Sequence, residues 1–274
     1  MRLHRDSARV PGGKPRLPGV ADYPMNAAGD LRSPVAVARD FSRLSVDPYQ
    51  LYLRGDLIPD AVSLVARLRE ASHTRASGAG NRGGGFKIAL GGGPELFVRR
   101  ARRGGAIRFL LDDVYLGLRP RPFSELLVAA EAMQRAVPVA EPMGAAVQWL
   151  WPGLYRGFFI TRAVPGMTLW EFACTDDDPD VRTHVLGRAR VAIETMLRCG
   201  LYHPDLNLHN LFVTPRGESF AVIILDLDKA RLYRRPLGRS ARRQISTRLA
   251  RSARKLDPRG RYFDGAALAI LNFA

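Results

Sequence analysis

Between positions 203 and 228 the chain reads His203-Pro204-Asp205-Leu206-Asn207-Leu208-His209-Asn210 and, after a turn and an apolar run, Asp226-Leu227-Asp228. The spacing is H-x-D-x4-N, with a second carboxylate where Ala221-Val222-Ile223-Ile224-Leu225 ends. Transfer of a phosphoryl group needs residues of these types. A hydroxyl attacking a γ-phosphoryl group sheds a proton, and a carboxylate such as Asp205 can accept it. The triphosphate travels with Mg2+, a hard cation that takes oxygen ligands. Asn210 and Asp226 offer an amide oxygen and a carboxylate from neighbouring loop and strand ends. His203 is suited to holding the loop by hydrogen bonds, and His209 reads as a loop or core-edge residue. Each residue alone is ordinary, because an Asn or Asp in a turn usually satisfies backbone donors. Their conjunction points to a phosphotransferase.

The flanking elements must position that loop. Val181, Val185, Ala189, Ala192, Ile193, Met196 and Leu197 recur at helical spacing, and Gly200 stops the helix just before the loop. Asp178 reads as its N-cap, with Pro179 at the first helical position. After the loop, Thr214-Pro215-Arg216-Gly217 turns a hairpin that brings the second carboxylate beside the first. Upstream, Ala61 to Ala71 and Pro122 to Arg135 read as helices, the second capped by Ser124 or the preceding turn. Strands are expected over Phe86 to Leu90, Glu95 to Arg99, Ala145 to Leu150 and Tyr155 to Thr161. The glycine-rich stretch ending Gly83-Gly84-Gly85 feeds the first of these, and such a turn can bring backbone N–H groups close to phosphate oxygens.

The expected fold is therefore α+β and two-lobed, a small antiparallel-sheet N-lobe with one helix joined to a helical C-lobe. Residues 1–45, rich in Pro, Gly and Arg, read as a flexible extension, residues 46–162 as the N-lobe and residues 163–274 as the C-lobe. No apolar leader follows Met1-Arg2-Leu3-His4-Arg5-Asp6, and no apolar run approaches the roughly 20 residues that span a bilayer. Cys174 and Cys199 follow neither a zinc nor a disulfide spacing, so a reducing cytoplasm is expected. The balance of 42 Lys and Arg against 26 Asp and Glu gives +16, a surface that attracts polyanions. Charge alone does not choose among nucleic acid, anionic membrane and acidic glycolipid.

These motifs resemble the protein-kinase-like superfamily, and more narrowly the lipopolysaccharide core kinases typified by 3-deoxy-D-manno-octulosonic acid (Kdo) kinase. The narrower likeness rests on Phe97-Val98-Arg99-Arg100-Ala101-Arg102-Arg103-Gly104-Gly105, on Arg119-Pro120-Arg121-Pro122-Phe123-Ser124-Glu125-Leu126 and on Val137-Pro138-Val139-Ala140-Glu141-Pro142. It rests further on Asp205 to Asn210, on Asp226-Leu227-Asp228-Lys229, and on Arg248-Leu249-Ala250-Arg251-Ser252-Ala253-Arg254-Lys255-Leu256. The resemblance covers about Ala76 to Leu256. It implies Asp205 as catalytic base and Asn210 with Asp226 as metal ligands. It places Arg99 where such enzymes grip the ATP phosphates and Glu125 as its helix partner. ATP and Mg2+ are the implied cofactors.

Three departures narrow the reading. Pro204 replaces the arginine that senses a phosphorylated activation loop, Asp228 stands where a mobile glycine would be, and Asn207 replaces a lysine that often touches the transferred group. Arg102, Arg103 and Lys229 are candidates to neutralise that charge instead. The arginines crowded from Arg231 to Arg254, with Lys255, form a basic amphipathic surface if helical, suited to an anionic membrane interface. The resemblance thus implies ATP-dependent phosphorylation of a Kdo hydroxyl, the 4-position, on an acidic glycolipid of the Kdo-lipid A type. The enzyme would be cytoplasmic and peripheral on the inner membrane, with no nucleic acid expected. A kinase for another core sugar such as heptose, a small-molecule phosphotransferase, or a catalytically silent basic binding protein are the alternatives.

Overall fold

A computed structural model of the protein describes residues 40–73, 85–100 and 114–274. The first lobe is built around one antiparallel sheet. Its elements in chain order are β1 (Phe41–Val46), β2 (Tyr49–Arg54), α1 (Ala61–His73), β3 (Gly85–Ile88), β4 (Leu96–Arg100), β5 (Tyr115–Leu116), α2 (Arg121–Gln134), β6 (Pro142–Trp151) and β7 (Leu154–Arg162). The strands lie in the order β1-β2-β6-β7-β4-β3, and β5 pairs with β7. Phe41–Val46 falls partly within the segment read from sequence as an extension to residue 45. It is instead a strand paired with β2 along its whole length.

Strand alternation divides the sheet's two faces. Leu51 and Leu53 of β2, Met143 and Ala146 of β6 and Phe158 and Ile160 of β7 form one buried cluster with Leu64, Val65 and Leu68 of α1. Ala145, Val147 and Phe159 point the other way and join α2, through Phe123, Leu126, Ala129 and Ala130, to a second and larger core. That core continues into the second lobe. Helix α2 starts at Arg121 with Pro120 as N-cap and no side-chain cap bond, so Ser124 is inside the helix and not its cap. A proline at the first turn costs nothing there, because its missing N–H has no intrahelical partner to lose.

The second lobe comprises β8 (Met167–Thr168), α3 (Leu169–Thr175), α4 (Pro179–Arg198), β9 (Leu201–Tyr202), β10 (Leu211–Arg216), β11 (Ser219–Ile224), β12 (Arg231–Leu232), α5 (Arg239–Leu256) and α6 (Gly265–Ile270). Asp178 caps α4, its side chain accepting from Asp180 N at 2.8 Å and Val181 N at 3.3 Å. Gly200 ends the helix at φ +81, a left-handed conformation that other L-residues rarely adopt. Strands β11, β10 and β8 form one small sheet, and β12 pairs with β9. Ile245, Leu249 and Ala253, four residues apart, seat α5 on the core. The lobes are stitched where Ile224 N donates to Pro138 O at 2.8 Å and Ala140 N to Ile224 O at 3.3 Å.

Candidate active site

The loop from His203 to Asn210 joins β9 to β10, and its backbone is fixed from within. His203 is almost fully buried. Its Nε2 lies 3.0 Å from Leu225 O, and Asp205 N donates to its Nδ1 at 3.3 Å. The carbonyl partner requires a proton on Nε2 and the amide partner requires a lone pair on Nδ1, so the ring is neutral. Burial agrees, pushing the imidazole pKa down. Asn207 Nδ2 and Asn210 Nδ2 both donate to Asp205 O, at 2.9 and 3.0 Å, while Asn207 Oδ1 accepts from His209 N at 2.9 Å. Asn207 is thus a loop brace. Asn210 commits an amide N–H to the loop, and its side-chain oxygen has no partner among the described residues.

The β10–β11 hairpin places Asp226 next to this loop. Leu211 is in register with Ile224, and Leu225 N donates to Asn210 O at 2.9 Å. Asp226 itself adopts φ +61, a conformation Asp tolerates better than most residues, and its side chain is 44% exposed. An amide oxygen and a carboxylate are therefore adjacent and accessible. Among the described residues no three His, Cys, Asp or Glu side chains gather as a self-sufficient metal cage. The pair suits a hard cation that fills most of its shell with phosphate oxygens and water.

Arg99 ties three elements together. It lies on β4, and its Nη2 is 2.5 and 2.6 Å from the two carboxylate oxygens of Glu125 on α2. The same nitrogen is 3.3 Å from Asp226 Oδ1. Burial penalises the guanidinium charge, but Glu125 and Asp226 outweigh it and raise the Arg99 pKa. Glu125 is only 3% exposed, and burial pushes its carboxyl up to about 7 against the pull of Arg99. Gly85 is in register with Arg99, and the Phe97 ring lies where a Cβ on Gly85 would sit, so packing accounts for glycine at that position. Gly83 and Gly84 lie outside the described residues, as do Arg102 and Arg103.

Two contacts were not legible in the sequence. Lys229 Nζ is 2.8 Å from Asp205 Oδ2, so Lys229 faces the carboxylate itself. The Lys229 hydrogen bond holds the Asp205 carboxyl below its ordinary range and leaves Oδ1 without a partner among the described residues. Arg121, at the start of α2, pairs with Asp228 Oδ2 at 3.2 Å and stacks over the Tyr115 ring. Asp228 thus occupies the position expected of a mobile glycine as an anchor between lobes. Both contacts join residues more than twenty positions apart, which no local spacing encodes.

Comparison with known proteins points to a kinase family. The family described as Lipopolysaccharide kinase (Kdo/WaaP) matches residues 71–261. The 3-deoxy-D-manno-octulosonic acid kinase of Xylella fastidiosa (strain M12) is 29% identical over 65% of this chain and 68% of its own. That of Xanthomonas campestris pv. campestris (strain B100) is 30% identical over 69% of this chain and 73% of its own. A solved structure, WaaP in complex with acyl carrier protein, aligns over 76% of this chain and 82% of that one, at 14% identity and a TM-score of 0.46.

Proposed function

The chain belongs to the lipopolysaccharide kinase (Kdo/WaaP) family and is a kinase, and we propose that it phosphorylates the 4-hydroxyl of Kdo on a lipid A precursor at the cytoplasmic face of the inner membrane. The observation that carries the reading is the convergence of Arg99, Glu125 and Asp226 beside Asp205 and Asn210. One guanidinium nitrogen bonds both carboxylates, leaving Nε and Nη1 of Arg99 without partners among the described residues and free for phosphate oxygens. Glu125 aims that fork. The carbonyl-locked loop presents Asp205 Oδ1 to the acceptor hydroxyl, whose proton it takes as the new P–O bond forms and the bond to the ADP leaving group breaks. Lys229 holds the Asp205 carboxyl below its ordinary range and so keeps it ionised further into acid. Mg2+, held by Asn210 Oδ1 and Asp226, would supply charge neutralisation of the phosphates.

The test is direct. Purified protein is incubated with ATP, Mg2+ and Kdo-lipid A, and the lipid is weighed by mass spectrometry. A product heavier by one phosphoryl group, absent with Asp205→Ala, is expected. Transfer to a heptose-bearing acceptor and not to Kdo-lipid A would move the reading to another core sugar. No transfer to any lipopolysaccharide core acceptor would overturn it.

A further inference from the structure

Helix α5 carries seven cationic side chains in its 18 residues and no acidic one. Such a helix repels itself at every i, i+3 and i, i+4 pair of like charges, so its composition calls for an external anion. Its placement says where that anion would lie. Gln244, Arg248 and Ser252, each one turn apart, follow the chain into the catalytic loop. Tyr202 OH donates to Gln244 Oε1 at 2.7 Å, and Leu208 N donates to Ser252 Oγ at 3.3 Å. Arg248 sits between these two contacts, and its charge acts on both Asp205 and His203. Its Nε is buried and has no hydrogen-bond partner among the described residues.

Along this face runs a groove of about 600 Å³ lined by Arg239, Arg243, Gln244, Thr247, Arg248 and Arg251 among others. None of its four arginines makes an ion pair with any described residue. Guanidinium forks clustered around hydroxyl and amide groups match a phosphate dianion in charge and geometry. From Arg248 to Arg239 the helix rises about 14 Å at 1.5 Å per residue. The groove therefore extends along α5 away from Arg248, the residue whose charge reaches Asp205, far enough to hold a group separate from one reacting there.

We infer that this α5 groove binds a phosphate monoester of the acceptor glycolipid, remote from the hydroxyl that reacts, and so registers the acceptor in the site. Arg248 links the groove to the catalytic loop. The inference rests on the acceptor being an acidic, phosphorylated glycolipid, and its test is made by binding so that it does not depend on turnover.

Binding of Kdo-lipid A micelles, and of the same lipid after phosphatase treatment, is measured by calorimetry without ATP. Three proteins are compared: wild type, the exposed triple Arg239→Ser/Arg243→Ser/Arg251→Ser, and a charge-matched control Arg198→Ser/Arg216→Ser/Arg259→Ser elsewhere on the surface. Wild type and control are expected to prefer the phosphorylated lipid by about tenfold or more, and the groove triple to lose that preference. Arg248→Gln alone should lose part of it. Because all three arginines of the groove triple are exposed, folding is preserved, and unchanged thermal unfolding checks this. Equal preference in wild type and groove triple would overturn the inference, as would equal loss in the control. Selective blocking by about 1 mM inorganic phosphate, at ionic strength matched with chloride, would assign the groove to free phosphate and overturn its role for the acceptor. If wild type binds with the expected preference yet transfers no phosphoryl group, the acceptor assignment fails while the groove stands.

Discussion

At the scale of single residues, two charge pairs do different work. Lys229 acts on Asp205, and the sign of its effect is testable. With Lys229 present the Asp205 pKa is depressed, so the carboxylate proposed as base stays ionised into mild acid. Lys229→Met returns it towards the ordinary carboxylate value. The acidic limb of kcat/KM against pH should then move to higher pH, and an unmoved limb would count against Asp205 as the proposed base under Lys229's influence. Arg99 and Glu125 are asymmetric partners. Arg99 has Asp226 as a second acid, whereas Glu125 is bonded by Arg99 alone among the described residues. Arg99→Met leaves the buried Glu125 carboxyl without its partner and should cost about 1–3 kcal/mol in urea unfolding, more than Glu125→Gln. The pH dependence follows from burial. The folded pKa of about 7 exceeds the ordinary 4.5, so the folded chain holds a proton through this window that the unfolded chain has released. The stability this group contributes is full below 4.5 and lost as pH rises through about 7. Glu125→Gln should flatten the unfolding midpoint across that window relative to wild type.

At the scale of elements, the turn after α4 decides where the His203 to Asn210 loop begins. Gly200 has φ +81, and a Cβ there would press on the backbone carbonyls of Tyr233 and Arg235 in the segment that follows β12. Gly217, in the β10–β11 turn, has φ +60 but open space around the same position. Gly200→Ala should therefore cost about 2–4 kcal/mol, from conformational strain plus overpacking, and Gly217→Ala about 1 kcal/mol, from strain alone. Chemical denaturation of the two variants measures the gap, and equal losses would mean that the close approach carries no energy. The same elements show what the sequence could reveal. Asp178-Pro179 and Gly200 announce the ends of α4 because caps and left-handed stops are local chemistry. Strand β1 was not legible, since only Phe41 among its residues is buried and its register is imposed by β2. Helix α2 starts one residue before the Pro122 expected from the sequence, and its cap is Pro120, which has no side-chain acceptor to signal it. The H-x-D-x4-N loop could be read because its braces lie within the motif. The Lys229 contact and the α5 groove could not, because each depends on how separate elements pack.

At the scale of the whole molecule, the lobes are tied at several points by charge. Arg121 pairs with Asp228, and Arg135 at the end of α2 donates to Cys199 O at 3.1 Å and Tyr233 O at 2.6 Å while pairing with Glu131. Both ends of α2 are therefore anchored on the second lobe, which holds Glu125 against Arg99. Against this local pairing stands the excess of 16 positive charges over the full chain. Net charge far from zero destabilises a compact state through self-repulsion and attracts anionic surfaces. Salt screens both, since the Debye length falls from about 30 Å at 0.01 M to about 10 Å at 0.1 M. The two responses must have opposite signs. Raising sodium chloride from about 0.02 to 0.3 M should increase the unfolding temperature, because repulsion within α5 and across the basic surface is relieved. Over the same range, co-sedimentation with vesicles of phosphatidylethanolamine and phosphatidylglycerol, about 3:1, should fall steeply. Zwitterionic vesicles of phosphatidylcholine serve as the comparison and should retain little protein at any salt. A melting temperature that falls with salt would mean that the interlobe ion pairs outweigh the repulsion. Vesicle binding that ignores salt would place the contact on apolar side chains and not on the arginines of α5.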